Sequence, residues 1–340
     1  MERRLDLAQS APGLPNDLAV PAGVIRFKVV DTTAVLGQLI DAAGLPPVTS
    51  TEPVVGHGLD NTLLKAVLSD GHAVLLRRTK YKCRPPWPRA AFLAEHGVGA
   101  PRLLAANVDG DSLVDFVDGQ PLADLVEAGR ADDDTWEMVG NAFGKVHAVT
   151  FPAPLQGDVG PETIALAPLD PVQQLRTKIE AATSQLTTER PTVMPALAQL
   201  RHLVAYHAGP IRTETPCLVH GDANLHNAIV GPRQATLIDW DFPAVRYPLD
   251  ELSAFEEHYY LHGGTRLPDA FFAGYGRNPP RHLLLLYRAV GCVHWLTSDD
   301  WAQWEGDHTI PSDDQARLRR WRTKLLSWLD DLHDYLQPVS

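Results

Sequence analysis

Polar side chains able to do chemistry are concentrated in one stretch, LVHGDANLHNAIVGPRQATLIDWD, over residues 218–241. It contains a His-Gly-Asp motif at 220–222, Asn227 five residues after that Asp, and an Asp-Trp-Asp motif at 239–241. Asp, Asn and Gly are ordinary turn residues, so each of them alone has little meaning. Here they lie at the ends of short apolar runs that are typical of strands, and their spacing predicts a functional site.

The apolar runs on either side of Gly-Pro-Arg-Gln predict an antiparallel hairpin over residues 228–238. If Val230 lies opposite Ala235, Asn227 and Asp239 come to the same open end of that hairpin. The Asp of the His-Gly-Asp motif lies on the loop just before this end. An amide oxygen and carboxylates therefore converge, and oxygen donors of this kind suit Mg²⁺, which takes few protein ligands.

This set of residues meets the needs of phosphoryl transfer. The reaction requires Mg²⁺ to neutralise phosphate charge, and a carboxylate that orients the attacking hydroxyl and accepts its proton. An Asp, an Asn five residues later and a second Asp further along the chain follow the catalytic-loop pattern of protein kinases.

The two motifs, HGDANLHN at 220–227 and IDWD at 238–241, resemble the signature of aminoglycoside phosphotransferases and of their choline-kinase and macrolide-kinase relatives. The resemblance implies a protein-kinase-like fold that acts on small molecules, with ATP or GTP as phosphoryl donor and Mg²⁺ as cofactor. It implies that Asp222 is the catalytic base and that Asn227 and Asp239 bind the metal. His220 would support the loop, and Asp241 would face the substrate or cap the following loop.

The nucleotide phosphates need a second set of residues, upstream of the catalytic loop. The segment GHGLDN contains Gly56, Gly58 and Asn61 and resembles the loop that covers nucleotide phosphates, where glycines let backbone N–H groups approach an anion. The next strand pattern ends in Arg77 and Arg78, where protein kinases carry a Lys. We expect Arg77 to bind the phosphates and Arg78 to point to the opposite face.

Two further expectations concern the N-lobe. The segment LVDFVDG resembles the connector whose backbone binds the nucleobase, which assigns Asp115 and Val117 to that role and leaves adenine or guanine open.

Related kinases pair the strand Lys with a Glu of the next helix. Here prolines are expected to delay that helix until Arg89, and its acidic residue, Glu95, lies close to the expected end. The usual ion pair is therefore missing or is made by another residue.

The resemblance also covers RYPLDEL, after the metal motif, where an Asp usually anchors the catalytic loop; Asp250 would be that structural residue. Acidic and aromatic residues of the C-terminal helices could line an acceptor site, although residues at such spacing also form helix cores: Glu256, Glu257, Tyr260, Trp301 and Trp304. Such a lining would suit a bulky small-molecule acceptor that is cationic or carries sugars.

The pattern divides the chain into three parts. Residues 1–49 form an extension with one helix, residues 50–118 a β-rich nucleotide-binding N-lobe, and residues 119–340 a mainly helical C-lobe with the catalytic loop, metal site and acceptor site. The predicted fold class is α+β, with the two lobes of a protein-kinase-like fold.

Composition excludes several other classes of protein. A net charge of −12 disfavours a nucleic-acid partner. The three cysteines are far apart and form no CxxC pair, which indicates a reducing compartment. The apolar stretch 283–296 is interrupted by Arg288 and His294 and predicts a core helix, not a membrane span. We expect a cytoplasmic protein without a membrane partner; the oligomeric state stays open.

Four functions are compatible with these motifs. The first is a small-molecule O-phosphotransferase that inactivates an antibiotic of the aminoglycoside, macrolide or nucleoside type. The second is a metabolic kinase for choline, homoserine or a sugar. A metallohydrolase that uses His220 and His226 together with the carboxylates is a third, and a nucleotide-binding protein without catalysis is the fourth.

Overall fold

The computed structural model describes residues 31–54, 61–79, 86–151, 170–307, 310 and 312–339. These residues form two lobes of a protein-kinase-like fold, a β-rich N-lobe and a helical C-lobe, joined by the chain near residue 117. The fold class expected from the sequence is confirmed.

The N-lobe is built on an antiparallel sheet of five strands in the order β1-β2-β3-β5-β4. Its elements in chain order are α1 (Thr32–Ala42), β1 (Val48–Val54), β2 (Asn61–Leu68), β3 (Ala73–Thr79), α2 (Trp87–Glu95), β4 (Leu103–Ala106) and β5 (Ser112–Asp115). The sequence pattern predicted fewer strands, because β4 has four residues and no alternation that marks one face as buried.

Helix α1 covers one face of this sheet. Its first turn is capped by Asp31, whose carboxylate accepts a hydrogen bond from the backbone N–H of Thr33. Its apolar stripe, which includes Leu36 and Ile40, shares one buried cluster with Val74 and Leu76 of β3. The helix that the sequence assigned to an extension therefore packs in the same core as the sheet.

Helix α2 begins two residues earlier than expected. Pro86 precedes the helix and Pro88 lies in its first turn, where the missing N–H has no intrahelical partner to lose. The prolines therefore start the helix instead of delaying it. The helix ends at Glu95, two residues before the end expected at Gly97.

The C-lobe contains the remaining elements. In chain order they are β6 (Gln120–Pro121), α3 (Leu122–Glu127), α4 (Asp133–His147), α5 (Pro171–Glu189), α6 (Met194–Tyr206), α7 (Ala208–Thr213), β7 (Cys217–Val219), β8 (Ala228–Val230), β9 (Ala235–Leu237), β10 (Ala244–Arg246), α8 (Pro248–Leu261), α9 (Asp269–Tyr275), α10 (Arg281–Leu296), α11 (Asp300–Gly306), α12 (Ser312–Asp330) and α13 (Leu332–Tyr335).

Helix α10 lies at the centre of the C-lobe core. Ten of its residues are buried, including Arg288, and its neighbours are α5, α8 and α12. This confirms that the apolar stretch 283–296 is a core helix. Across the described residues, no helix combines the length and apolar character needed to cross a membrane.

The chain that joins the lobes continues into the sheet that carries the site. Strand β6 pairs antiparallel with β8, with Gln120 opposite Val230, and β8 pairs with β9. Gly119, just before β6, has a φ of +150°, and a Cβ there would lie 2.5 Å from the carbonyl oxygen of Val230. Glycine is required here because the two backbones touch.

Helices α4 and α9 also pack backbone to backbone. A Cβ on Gly140 of α4 would lie 2.0 Å from the carbonyl oxygen of Phe271 in α9. The contact is fixed by main-chain atoms of both helices, so no side chain can move to make room.

Gly140→Ala is therefore expected to lower the free energy of unfolding by about 3 kcal/mol, because the two helices must separate. Urea denaturation followed by circular dichroism measures this. The matched control is Gly291→Ala in α10, where an added Cβ meets nothing within 4 Å; it should raise stability by about 0.5–1 kcal/mol. Equal stability of the two variants would contradict the packing described here.

Candidate active site

The His-Gly-Asp motif lies on the loop between β7 and β8. This loop ends in one 3-10 turn, Leu225–Asn227, whose first residue is preceded by Asn224. The Asn224 side-chain oxygen accepts hydrogen bonds from the backbone N–H groups of His226 (3.0 Å) and Asn227 (3.1 Å). Asn224 thus caps the turn and sets the direction in which Asn227 leaves the loop.

The carboxylate of Asp222 is oriented by two amide side chains. Nδ2 of Asn227 donates to Oδ2 of Asp222 (2.9 Å) and to its backbone oxygen (3.0 Å). Nδ2 of Asn224 donates to Oδ1 of Asp222 (3.1 Å). Because the Asn227 amide nitrogen is directed at Asp222, its amide oxygen is the atom left for another ligand.

The hairpin has the predicted register. Val230 pairs with Ala235, and the N–H of Ile238 donates to the carbonyl oxygen of Asn227 (2.9 Å). The next residue, Asp239, has a φ of +63° and is the one non-glycine residue with positive φ in the part of the chain that the structure describes. Such a backbone is uncommon for a residue other than glycine, and it marks the point where the chain turns out of the hairpin.

Asp239 and Asp241 face two arginines of the N-lobe. Nη2 of Arg77, from β3, donates to Oδ1 of Asp239 (2.8 Å), and its guanidinium also forms a two-pronged contact with Asp241, with Nη1 to Oδ1 at 2.7 Å. Nη1 of Arg89, from α2, donates to the backbone oxygen of Asp241 (2.9 Å). Arg78 lies on the other face of β3, where it contacts Thr32 and Asp111.

These contacts give the two carboxylates different protonation behaviour. Burial raises the pKa of Asp239 above its ordinary 3.8; the charge of Arg77 opposes this, and the neighbouring Asp241 and Asp222 add to it. Burial also acts on Asp241, but the hydrogen bond and charge of Arg77 and the charge of Arg89 outweigh it and hold its pKa below 3.8. Burial therefore disfavours the ionised form of Asp239, and a bound cation would favour it.

The donor set fits a magnesium ion. The Asn227 amide oxygen and the Asp239 carboxylate are oxygen ligands, and Mg²⁺ commonly takes one or two carboxylates together with waters and phosphate oxygens. No group of three or more His, Cys, Asp and Glu side chains is arranged to hold a metal among the described residues. The arrangement therefore fits a metal shared with a phosphate, not a metal bound by protein ligands alone.

The two histidines of the motif point away from these carboxylates. Nε2 of His220 donates to the carbonyl oxygen of Ile238 (2.7 Å), and its ring packs against Trp240 with the centroids 4.5 Å apart. His226 packs against His258 and His262. His220 therefore ties the loop to the hairpin, and neither histidine shares a metal site with Asp239.

The loop that carries His220 and Asp222 is anchored by Glu251 of α8. From the sequence, we expected Asp250 in this role. Oε2 and Oε1 of the buried Glu251 accept hydrogen bonds from the N–H groups of His220 (3.0 Å) and Gly221 (2.8 Å). Nε2 of the fully buried His147 also donates to Oε2 (2.8 Å). Asp250, one position earlier on the helix, points elsewhere and pairs with Lys178 (2.7 Å).

The two residues assigned to the nucleobase, Asp115 and Val117, differ in their backbone hydrogen bonds. The N–H of Asp115 donates to the carbonyl oxygen of Arg102 (3.0 Å), and its carboxylate contacts Nε2 of His72 (3.0 Å). Val117, by contrast, makes no backbone hydrogen bond to any described residue. An open N–H at this position fits nucleobase binding. Asn61 lies at the start of β2, and Gly56 and Gly58 lie outside the described residues.

The expected acceptor lining is partly core. Glu256 and Glu257 are buried and paired with arginines of α10: Arg288 Nε contacts Glu257 at 2.7 Å, and Nη1 contacts Glu256 at 3.4 Å. Trp301 is 3% exposed and donates its Nε1 hydrogen to the backbone oxygen of Trp295. The helical spacing that indicated an acceptor surface is therefore the spacing of a packed interior.

A model of the phosphotransferase enzyme family matches residues 57–285, which is more than half of the chain. The chain belongs to this family. No curated protein sequence gives a significant match.

Solved structures share the fold. A choline/ethanolamine kinase family protein from Mesorhizobium loti is 17% identical, with a TM-score of 0.62 over 91% of this chain and 98% of its own. Aminoglycoside phosphotransferase APH(4)-Ia is 16% identical, with a TM-score of 0.59 over 87% and 98%. The ternary complex of streptomycin, ATP and APH(2")-IIa is 11% identical, with a TM-score of 0.54 over 89% and 98%.

Removal of the Glu251 charge tests the anchor of the loop. Burial acts to raise the pKa of Glu251, but the hydrogen bond and charge of His147 outweigh it, together with His220 and the Gly221 N–H, and hold the pKa below its ordinary 4.5. A carboxyl group whose pKa is lowered by folding stabilises the protein above its unfolded value, and this stability is lost as pH falls through the folded value.

Glu251→Gln is therefore expected to lower the free energy of unfolding at pH 7 by about 2–4 kcal/mol, since one buried partner is lost. Its stability should also fall less steeply than that of the wild type below pH 4.5. Urea titrations at several pH values measure both effects. Glu95→Gln, at an exposed position, is the control and should behave as wild type; parallel pH curves for all three proteins would refute the assignment.

Proposed function

We propose that this protein is a kinase that transfers the γ-phosphoryl group of ATP or GTP to a hydroxyl group of a small molecule. The observation that carries the proposal is that Asn227 is hydrogen-bonded both to Asp222 and to Ile238, the residue before Asp239. Asn227 orients the Asp222 carboxylate through its amide nitrogen, and its backbone oxygen pairs with the residue before Asp239. A proton acceptor and two oxygen ligands are thereby held in one place.

Each residue has a role that follows from its atoms. Asp222 orients the acceptor hydroxyl and takes its proton, because its carboxylate is fixed by two amide donors. Arg77, at the same site from the N-lobe, binds the donor phosphates as a planar cation. The Asn227 amide oxygen and Asp239 would hold Mg²⁺, which supplies charge neutralisation on the phosphates when bound.

The remaining donor contacts come from the N-lobe and the connector. We assign the nucleobase to the backbone of Asp115 and Val117, where the Val117 N–H is open among the described residues. Backbone N–H groups near Gly56 and Gly58, with Asn61, would cover the phosphates. In the reaction, the acceptor oxygen forms a bond to the γ-phosphorus, the bond to the β,γ-bridging oxygen breaks, and the nucleoside diphosphate leaves.

The acceptor is an alcohol of one of two kinds. An antibiotic of the aminoglycoside, macrolide or nucleoside type is supported by the likeness to two aminoglycoside phosphotransferase structures, one of them with streptomycin and ATP bound. A metabolite such as choline, homoserine or a sugar is supported by the likeness to a choline/ethanolamine kinase family protein. The net charge of −12 favours a cationic acceptor in both cases.

An acceptor screen tests this function. Consumption of ATP and GTP would be measured in parallel with Mg²⁺ against aminoglycoside, macrolide and nucleoside antibiotics, choline, homoserine and sugars. Mass spectrometry should find one added phosphate on an accepted compound. Phosphate release from an ester without any nucleotide would favour a hydrolase, and nucleotide binding without transfer to any acceptor would favour a binding protein.

With an acceptor found, Asp222→Asn should lower kcat by about 10²–10⁴-fold, because the hydroxyl proton loses its acceptor. Nucleotide affinity should stay close to wild type, since Asp222 is assigned to the acceptor hydroxyl and not to the nucleotide. Steady-state kinetics and calorimetric titration of nucleotide measure the two quantities. Asp170→Asn, which removes a surface pair with Arg212 far along the chain from the loop, is the control; wild-type kcat in the Asp222 variant would end the proposal.

A further inference from the structure

Arg77 is held by a carboxylate from the C-lobe. Its guanidinium donates through both Nη atoms to the two carboxylate oxygens of Asp241, and through Nη2 to Oδ1 of Asp239 at 2.8 Å. Both side chains are about three-quarters buried, with 22% of Arg77 and 24% of Asp241 exposed. A planar, two-pronged pair fixes the direction of the guanidinium more firmly than a single contact does.

Helix α2 supplies no carboxylate for this purpose. Its acidic residue, Glu95, is exposed at the last position of the helix. The helix contributes Arg89 instead, which donates through Nη1 to the backbone oxygen of Asp241 (2.9 Å) and through Nη2 to its Oδ1 (3.4 Å). Arg89 therefore holds both the main chain and the side chain of Asp241 in place.

Under the proposed function, metal binding affects the contact of Arg77 with Asp239 differently from its contact with Asp241. Asp239 is a predicted metal ligand, so its bond to Arg77 competes with a cation. The pair with Asp241 uses no atom of the predicted metal site. It can persist while the nucleotide and metal bind, so it keeps Arg77 fixed at this site.

We propose that Asp241 is a positioning residue for nucleotide binding: it fixes Arg77 across the cleft, and Arg89 of α2 anchors it. The cation is thus fixed by a residue of the metal motif, in place of a carboxylate of the helix. Without Asp241, Arg77 stays bonded to Asp239 and competes with the metal ion. This inference rests on the proposed function, because it concerns the same site.

The test measures nucleotide binding without acceptor, so that it does not depend on turnover. Calorimetric titration with the β,γ-imido analogues of ATP and GTP would be run over a range of Mg²⁺ concentrations. Asp241→Asn should raise Kd at saturating Mg²⁺ by about tenfold, the loss expected for one charge-assisted pair. It should also raise the Mg²⁺ concentration needed for half-maximal binding, since Arg77 now competes for Asp239.

Three variants separate positioning from general damage. Asp241→Glu keeps the carboxylate and should recover most of the affinity. In an Arg77→Ala background, Asp241→Asn should add less than about twofold, because its partner is already gone. Arg89→Ala leaves the carboxylate in place and should weaken binding in the same direction, which keeps the test available if Asp241→Asn does not fold. Asp170→Asn, which removes the two-pronged pair with Arg212, is the matched control and should bind as wild type.

The possible results are distinguishable. Wild-type Kd and Mg²⁺ dependence in Asp241→Asn would overturn the inference and leave the proposed kinase function intact. Full additivity of the Arg77 and Asp241 substitutions, or no recovery with Glu, would overturn it as well. A wild-type protein that binds neither analogue would overturn both the inference and the proposed function.

Discussion

A single buried carboxylate, that of Glu251, sets the geometry of the site. It takes up the N–H groups of His220 and Gly221 at the start of the catalytic loop and is itself held by His147 from another helix. Buried N–H groups without partners would cost about 1–3 kcal/mol each, so this contact stabilises the loop where it lies. The positions of Asp222 and Asn227 follow from it, because both residues lie within the same short loop.

The distribution of charge complements this anchor. The protein is strongly acidic overall, yet two arginines, Arg77 and Arg89, converge on the metal motif from the N-lobe. Local positive charge beside Asp239 and Asp241 is what a polyphosphate requires. Under the proposed function, the acidic surface and these two arginines would serve different ligands, the acceptor and the donor.

The sequence was sufficient for the fold class, for the hairpin register and for the strands and helices around them, because these follow from local periodicity and from motif spacing. The proposed metal ligands and base came from motif spacing together with the resemblance to a known family. Arg89 and Glu251 could not be found in this way, since they act on residues about 150 and 30 positions away, respectively, and only the folded chain brings them together. The sequence RYPLDEL offered two adjacent acidic residues, Asp250 and Glu251, as the anchor of the loop, and its spacing did not decide between them.

On the acceptor side, the sequence left two interpretations of the same residues open, an acceptor surface and a helix core. Glu256, Glu257 and Trp301 have the composition of a binding surface, but the two glutamates are buried and form ion pairs with Arg281 and Arg288. Helical spacing shows which residues share a face and does not show whether that face meets solvent or another helix. The partner that decides this, α10, lies later in the chain.

The close contact of Gly119 with Val230 limits where the two lobes can move relative to each other. Strand β6, which follows the connector, is bonded to the hairpin that ends next to Asp239, so the end of the connector and this hairpin are held together in one three-stranded sheet. Any change in the angle between the two lobes must therefore come from residues on the N-lobe side of Gly119. Under the proposed function, a nucleobase at the connector would lie next to a segment that is fixed to the hairpin of Asp239.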